Sequence, residues 1–241
     1  MPEPDQPHDG SEHTRAVFSA IYETDHWKGG SGEGSPPDAT APYREFVQRL
    51  LTARDVRTVV DVGCGDWQSS RLIDWRGVRY TGVDVVPEVV DADRERFGGP
   101  DVAFACADVT TEPAPRADLL LCKDVLQHWP NAVIRRFVAR ERRRHRYLVL
   151  TNDVWSVHWP DDERNADVPM GHWRTIDLEQ PPFAIRADVR LDFLVGTEWR
   201  KRVLVVTNPL HRLRASLTRG SALAIARESV SPSSSRRRAT P

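Results

Sequence analysis

At 241 residues the chain is long enough for one α/β domain with a sizeable core, and its formal net charge of −1 points to neither a nucleic acid nor another strongly acidic partner. Three cysteines, Cys64, Cys106 and Cys122, are too few for a disulfide framework and lack the Cys-x-x-Cys spacing of a structural zinc site. With a polar start and no run near the roughly 20 apolar residues that span a bilayer, a soluble cytoplasmic protein without membrane contact is expected.

Residues 1–12 read as disordered, and a domain is expected over 13–210. Val17, Phe18, Ile21 and Tyr22 suggest a first helix. A glycine-rich loop follows, running from Trp27 through Ser31, Gly32, Gly34 and Ser35. Thr40 is placed as the cap of a second helix, in which Tyr43, Phe46, Val47, Leu50 and Leu51 form one buried stripe. From there β-rich runs alternate with helical ones. Strands are expected at Thr58–Val62, Arg79–Asp84, Val102–Cys106, Asp118–Cys122 and Tyr147–Thr151, each nearly continuous in apolar character. Helices are expected at Ser69–Trp75, Pro87–Phe97 and Asn131–Arg144. The alternation implies a doubly wound α/β fold with a mostly parallel, seven-stranded sheet. Asp188–Val195 and Lys201–Thr207 are joined too closely for a helical crossover, so they should add an antiparallel hairpin at one edge.

Beyond residue 210 the chain carries seven Arg against one Glu, a composition expected to be a solvated, disordered tail. Arginine dominates throughout, with 31 Arg to three Lys (Lys28, Lys123 and Lys201), a bias read as the mark of a GC-rich genome. Arg135, Arg136 and Arg140 through Arg144 read as the solvated face of their helix rather than as an RNA site.

The chemistry gathers behind the first strand. In Asp61-Val62-Gly63-Cys64-Gly65 the glycines let the backbone approach a ligand where a Cβ would collide. Asp84 ends the second strand 19 residues after Gly65, where a carboxylate can hold the hydroxyls of a ribose. Asp108, after the third strand, can accept a hydrogen bond from an adenine amino group. Each aspartate alone is more often a loop cap, but two at successive strand ends behind a glycine turn point to adenosine. A dinucleotide fingerprint needs a small residue where this chain has Gln68, and Asp66 would repel a pyrophosphate. A sulfonium is attracted to acidic and aromatic surroundings, so the turn favours S-adenosylmethionine (SAM) over NAD.

Asp61-Val62-Gly63-Cys64-Gly65, Tyr80-Thr81-Gly82-Val83-Asp84 and Ala107-Asp108-Val109 resemble the successive cofactor motifs of class I SAM-dependent methyltransferases, and Lys123 through Trp129 resembles the segment after their fourth strand. The likeness spans about residues 55–155. A narrower one, to a bacterial subfamily of small methyltransferases, rests on Ile21-Tyr22 with Trp27, the Ser31–Ser35 loop, Asn165-Ala166-Asp167 and Gly171 through Arg174. One departure is Trp67, where many members carry a third glycine, and it leaves the local turn shape open. The resemblance implies SAM as cofactor, held by Trp27, Ser31, Gly32, Gly34, Ser35, Asp61, Gly63, Cys64, Gly65, Asp84, Val85, Asp108, Val109 and Lys123. The loop at 31–35 is expected to be a flap over it.

The acceptor side rests on fewer signals. His128 lies beyond the fourth strand, where it can face the methyl group and remove the acceptor's proton. The alternative is a histidine that caps a turn. Asp124, four residues earlier, shares its face if the segment is helical, and can orient it. Asn152 and Asp153 leave the fifth strand toward the same crevice, and with Asp124 they offer the hard oxygens that Mg²⁺ takes. The spacing fits metal-dependent relatives only loosely, and no metal is expected. The segment 154–183 reads as an acceptor lid, with Trp155 and Trp173 as walls and Arg174 either clamping an anionic acceptor or pairing with Asp167 or Asp177. The expected activity is methyl transfer from SAM to an oxygen or nitrogen of a small molecule, as in secondary-metabolite or sugar biosynthesis. RNA or protein methylation, and SAM binding without turnover, are the alternatives.

Overall fold

The computed structural model describes residues 10–27, 29–32 and 34–211. The tail expected over 211–241 therefore lies outside the described residues apart from His211, as do residues 1–9. Helix α1 (Gly10–Glu23) begins three residues before the expected start of the domain at 13. It is followed by α2 (Pro37–Ala53), β1 (Thr58–Val62), β2 (Arg79–Asp84), α3 (Pro87–Phe97), β3 (Val102–Cys106), β4 (Leu119–Lys123), α4 (Asn131–Glu141), β5 (Tyr147–Ser156), β6 (Val189–Val195) and β7 (Trp199–Thr207).

The seven strands form one sheet in the order β3-β2-β1-β4-β5-β7-β6. The first five are parallel, whereas β7 runs antiparallel to both β5 and β6. The hairpin at the edge is the one expected from the short link between the last two strands. Winding reverses direction at β1 and β4, and in open sheets of this kind a crevice opens at the carboxyl ends of the strands there.

Side chains alternate across the pleat and build two cores. Val60, Val62, Leu120, Cys122, Leu148 and Leu150 pack with Ile134, Phe137 and Val138 of α4 on one face. Val59, Leu119, Leu121, Val149, Val203 and Val205 pack with Tyr43, Phe46, Val47 and Leu50 of α2 on the other. A sheet covered on both faces explains why its strands read as unbroken apolar runs.

Four sequence expectations change. Thr40 is inside α2 rather than capping it, because Pro36 and Pro37 start the helix and the Thr40 hydroxyl bonds back to their carbonyls at 3.0 and 3.2 Å. Ser69–Trp75 forms only a 3₁₀ turn over Ser70–Leu72, whose carbonyl at Ser70 accepts the Trp75 indole N–H at 2.8 Å; α2 already covers that face of the sheet. The third helix of the alternation, expected to reach Arg144, stops at Glu141, whose buried carboxylate receives Arg140, Arg144 and His145. Arg135, Arg136, Arg142 and Arg143 remain exposed. Finally, β5 runs five residues past Thr151 because β7 continues to pair with it through a bulge at Asp153–Trp155.

Trp67, in the place of a third glycine, adopts a left-handed backbone with φ +55°. An L side chain rarely takes that conformation, yet here it drives the indole into the core, where it packs on Tyr80, Phe97 and Phe104. The turn thus keeps its left-handed geometry and gains a core residue. Trp67→Gly should relax the backbone by about 1–2 kcal/mol but lose about 3–5 kcal/mol of buried packing. A net loss of about 2–3 kcal/mol in urea unfolding is expected; a stabilised variant would show that strain outweighs packing.

Candidate active site

The turn after β1 is tied to the next strand by its own backbone. Gly63 and Cys64 both donate N–H groups to the Val83 carbonyl, at 2.7 and 3.2 Å. Asp61 anchors it from below, accepting bonds from Ser70 at 2.6 Å and Tyr80 at 2.8 Å. Burial pushes the Asp61 carboxyl up, and these two bonds offset that rise only in part.

Asp84 closes the turn with one oxygen on the Gly65 N–H and the other on the Val86 N–H, each at 3.1 Å. Burial raises its carboxyl too, against those backbone donors. Asp108 uses one oxygen for the Thr110 N–H and hydroxyl, at 2.8 and 2.6 Å. Its other oxygen is buried with no partner among the described residues, an expense that a bound donor would remove. Asp61, Gly63, Cys64, Gly65, Asp84, Val85, Asp108, Val109 and Lys123 all line one pocket, as do Trp27, Ser31 and Ser35.

The last three residues belong to a cover. Thr14, Phe18 and Tyr22 of α1 face the same pocket, and the loop beyond closes it. Ser31 Oγ accepts from the Asp66 N–H at 3.0 Å and donates to the Asp66 carboxylate at 2.7 Å. A Cβ on Gly65 would strike that hydroxyl, so the missing side chain admits the cover as well as a ligand. Gly32 and Gly34, expected to hold the cofactor, line a second pocket instead.

Between the two pockets stand Trp27, Ser31, Asp124 and His128, which line both. Asp124 does not share a helical face with His128. It has φ +59°, and only a 3₁₀ turn over Leu126–His128 follows. Its carboxylate is gripped by Lys123 at 2.6 Å and Lys201 at 2.8 Å. Burial pushes that carboxyl up, but the two lysines more than offset it and hold it at about 2. Lys201 reaches on to Asp153 at 2.8 Å, and Lys123 donates to the Gly34 carbonyl of the cover at 2.9 Å. Burial alone would lower the Lys201 ammonium; Asp124 and Asp153 raise it instead. Gln127 completes the set, donating to Asp153 at 3.1 Å while its own oxygen accepts the Asp153 N–H at 2.9 Å.

His128 is buried and stacks at 5.0 Å on Trp27, with its Nδ1 unpartnered among the described residues. Burial pulls it down to about 4 although Asp124 pulls the other way, so it is neutral at physiological pH.

Three expected acceptor contacts are absent from both pockets. Arg174 is fully buried and binds the Leu126 and Ala166 carbonyls and Asn131, at 2.9, 3.2 and 2.9 Å, so it ties the 154–183 segment to the turn after β4 and clamps no acceptor. Burial lowers it to about 10. Neither Asp167 nor Asp177 is its direct partner: Asp167 accepts the Asn131 N–H and Asp177 pairs with Arg202. Asn152 is enclosed on the opposite face of β5 from Asp153, as the pleat requires. Trp155 lies under Arg200, past the bulge. Asp153 and Trp173 do line the second pocket. Among the described residues no cluster of three His, Cys, Asp or Glu is set to hold a metal, and Lys201 occupies the space between Asp124 and Asp153. Lys201, Gln127 and Trp199 are among the pocket residues that sequence reasoning missed.

Comparison with known proteins meets this geometry. A family described as "Methyltransferase domain" matches residues 59–146, the segment from β1 through β4 to the end of the α4 region. Residues 59–146 are thus similar to a methyltransferase domain. A ubiquinone biosynthesis O-methyltransferase of Coxiella burnetii is 27% identical over 124 residues, covering 48% of this chain and 50% of the relative. The corresponding Bordetella avium protein is 31% identical over 126 residues, covering 49% and 52%. The chain thus spans about half the length of the curated relatives it matches. In fold, the chain is similar to the magnesium protoporphyrin IX methyltransferase of Synechocystis with bound S-adenosylhomocysteine (SAH), at TM-score 0.58, 15% identity, and coverage of 83% of this chain and 100% of that one. It is also similar to the Burkholderia thailandensis 1,6-didemethyltoxoflavin-N1-methyltransferase, at TM-score 0.59, 16% identity, and coverage of 86% and 92%.

Lys201→Met should leave Asp124 and Asp153 facing each other and cost about 3–5 kcal/mol of stability at neutral pH. The wild-type Asp124, held at about 2, contributes stability that is present above its unfolded value near 3.9 and lost as pH falls toward 2. The gap between the two proteins should therefore narrow over that window in pH-dependent urea unfolding. A pH-independent gap would assign the loss to packing alone.

Proposed function

We propose that the chain transfers a methyl group from SAM to an oxygen or nitrogen of a small molecule. The observation that carries this is the unpartnered, buried oxygen of Asp108, set in the same pocket as Asp84 and the glycine turn. An adenine amino group is a donor of the kind that oxygen needs, and a ribose hydroxyl can share the lone pairs that Asp84 has left. Trp27 and Asp124, where the two pockets meet, give a sulfonium aromatic and anionic neighbours. SAM supplies an activated methyl group. The chain's own residues align an acceptor in the second pocket against it and take up the acceptor's proton.

His128 is the group we assign to that proton. It is neutral at pH 7, it faces both pockets, and Asp124 cannot compete with it as a base because two lysines hold that carboxyl near 2. The small-molecule reading is supported by the relatives, whose names concern ubiquinone biosynthesis and 1,6-didemethyltoxoflavin, and by a second pocket walled by Trp27, Trp173 and Trp199. Nothing among the described residues favours RNA: the basic residues of α4 lie on its exposed side or on Glu141.

Titration calorimetry with SAH should show one site, and Asp108→Ala should weaken it by about 10-fold or more through loss of a buried bond. Unchanged affinity would remove Asp108 from the site. With an acceptor found by incubating labelled SAM with metabolite extracts, His128→Gln should lower kcat by about 10²–10⁴-fold while SAH still binds. The acid limb of kcat/KM should lie near pH 4, because the base must be deprotonated; a limb near 6.5 would point to another group.

A further inference from the structure

The second pocket differs from the first in the chemistry of its walls, and that difference bears on what it accepts. Three of the chain's eight tryptophans, Trp27, Trp173 and Trp199, face it. Each is braced by another ring: Trp27 by His128 at 5.0 Å, Trp173 by Trp159 at 5.8 Å and Trp199 by His158 at 5.3 Å. Braced indoles present flat apolar surface at fixed positions, which suits a planar ligand with little ordering left to do.

The floor is polar but its cation is spent. Lys201 lies between Asp124 and Asp153, and Lys123 holds the far side of Asp124, so both ammoniums are already paired. The neighbouring arginines are turned elsewhere: Arg174 into backbone carbonyls, Arg202 onto Asp177 and Asp192, and Arg200 over Trp155. Among the described residues that line this pocket, then, no lysine or arginine is free to meet an acid group, whereas carboxylate lone pairs remain to accept hydrogen bonds. An anionic acceptor would be desolvated without a partner. A hydroxyl or N–H donor would find one.

We propose that the second pocket takes an uncharged aromatic or heteroaromatic acceptor bearing a hydroxyl or N–H group, and discriminates against acceptors that carry a carboxylate or phosphate. This rests on the methyl-transfer reading above. Trp173 and Trp199 are the residues that grip the ring, and the saturation of Lys201 by Asp153 sets the charge preference.

The test is calorimetry on the full chain saturated with SAH, using 8-hydroxyquinoline as the neutral probe, 8-hydroxyquinoline-7-carboxylate as the charged one and methyl glucoside as a non-aromatic hydroxyl donor. The neutral ring is expected to bind at least tenfold more tightly than either other probe. Trp173→Ala and, separately, Trp199→Ala should weaken it at least tenfold with SAH affinity unchanged, and Trp173→Phe should recover part of the loss. Asp153→Asn frees Lys201 in part and should narrow the preference against the carboxylate. Equal or tighter binding of the carboxylate or the glucoside overturns the proposal, as does neutral-ring binding that both alanine variants leave intact. If SAH itself fails to bind, the methyl-transfer reading falls first; if SAH binds and the neutral ring does not, only this inference falls.

Discussion

Four charges run in a line through the centre of the site, from Lys123 to Asp124 to Lys201 to Asp153, and the surrounding elements depend on that line. Lys123 and Asp124 come from the end of β4, Asp153 from the bulge in β5, and Lys201 from β7. A buried aspartate without a cation would be unionised or would unfold its surroundings, and a buried lysine without a carboxylate would do the same. Alternation of sign makes the row tolerable. It also fixes where the strand ends stand, because a charge that must meet its partner within 3 Å cannot drift. The cover joins the row through the Gly34 carbonyl on Lys123, so charge placement, strand register and pocket closure are a single arrangement.

The fold was largely legible because a sheet buried on both faces writes itself as apolar runs, and β1, β2, β3 and α3 begin and end where those runs do. The misreadings fall where local pattern met a competitor. Ser69–Trp75 has a helical pattern but no vacant sheet face to cover, since α2 arrives there first. β5 continues past its apolar run because β7 supplies a ladder that composition does not announce. Trp67 left the shape of the turn open; the left-handed residue delivers an indole to the core.

The first pocket was more legible than the second. A glycine turn and two aspartates at strand ends are local signals, and they fall together where β1, β2 and β3 end. The second pocket is assembled from five separate segments, and residues such as Gln127 and Trp199 carry no mark of their own. Arg174 misled because an arginine in a lid suggests an anion clamp, whereas three backbone and amide oxygens already engage its fork. One signal was available and was read too broadly. In a chain with 31 Arg and three Lys, a retained lysine marks a place where a compact ammonium fits and a guanidinium does not. Two of the three lysines grip Asp124.

Trp27 is a wall of both pockets, stacked on the one imidazole they share. A partition common to two chambers cannot be shifted for one without resizing the other. Filling either chamber therefore sets the fit of its neighbour, and thermodynamic reciprocity makes the influence equal in both directions. Whatever the two chambers hold would be linked through the wall they share.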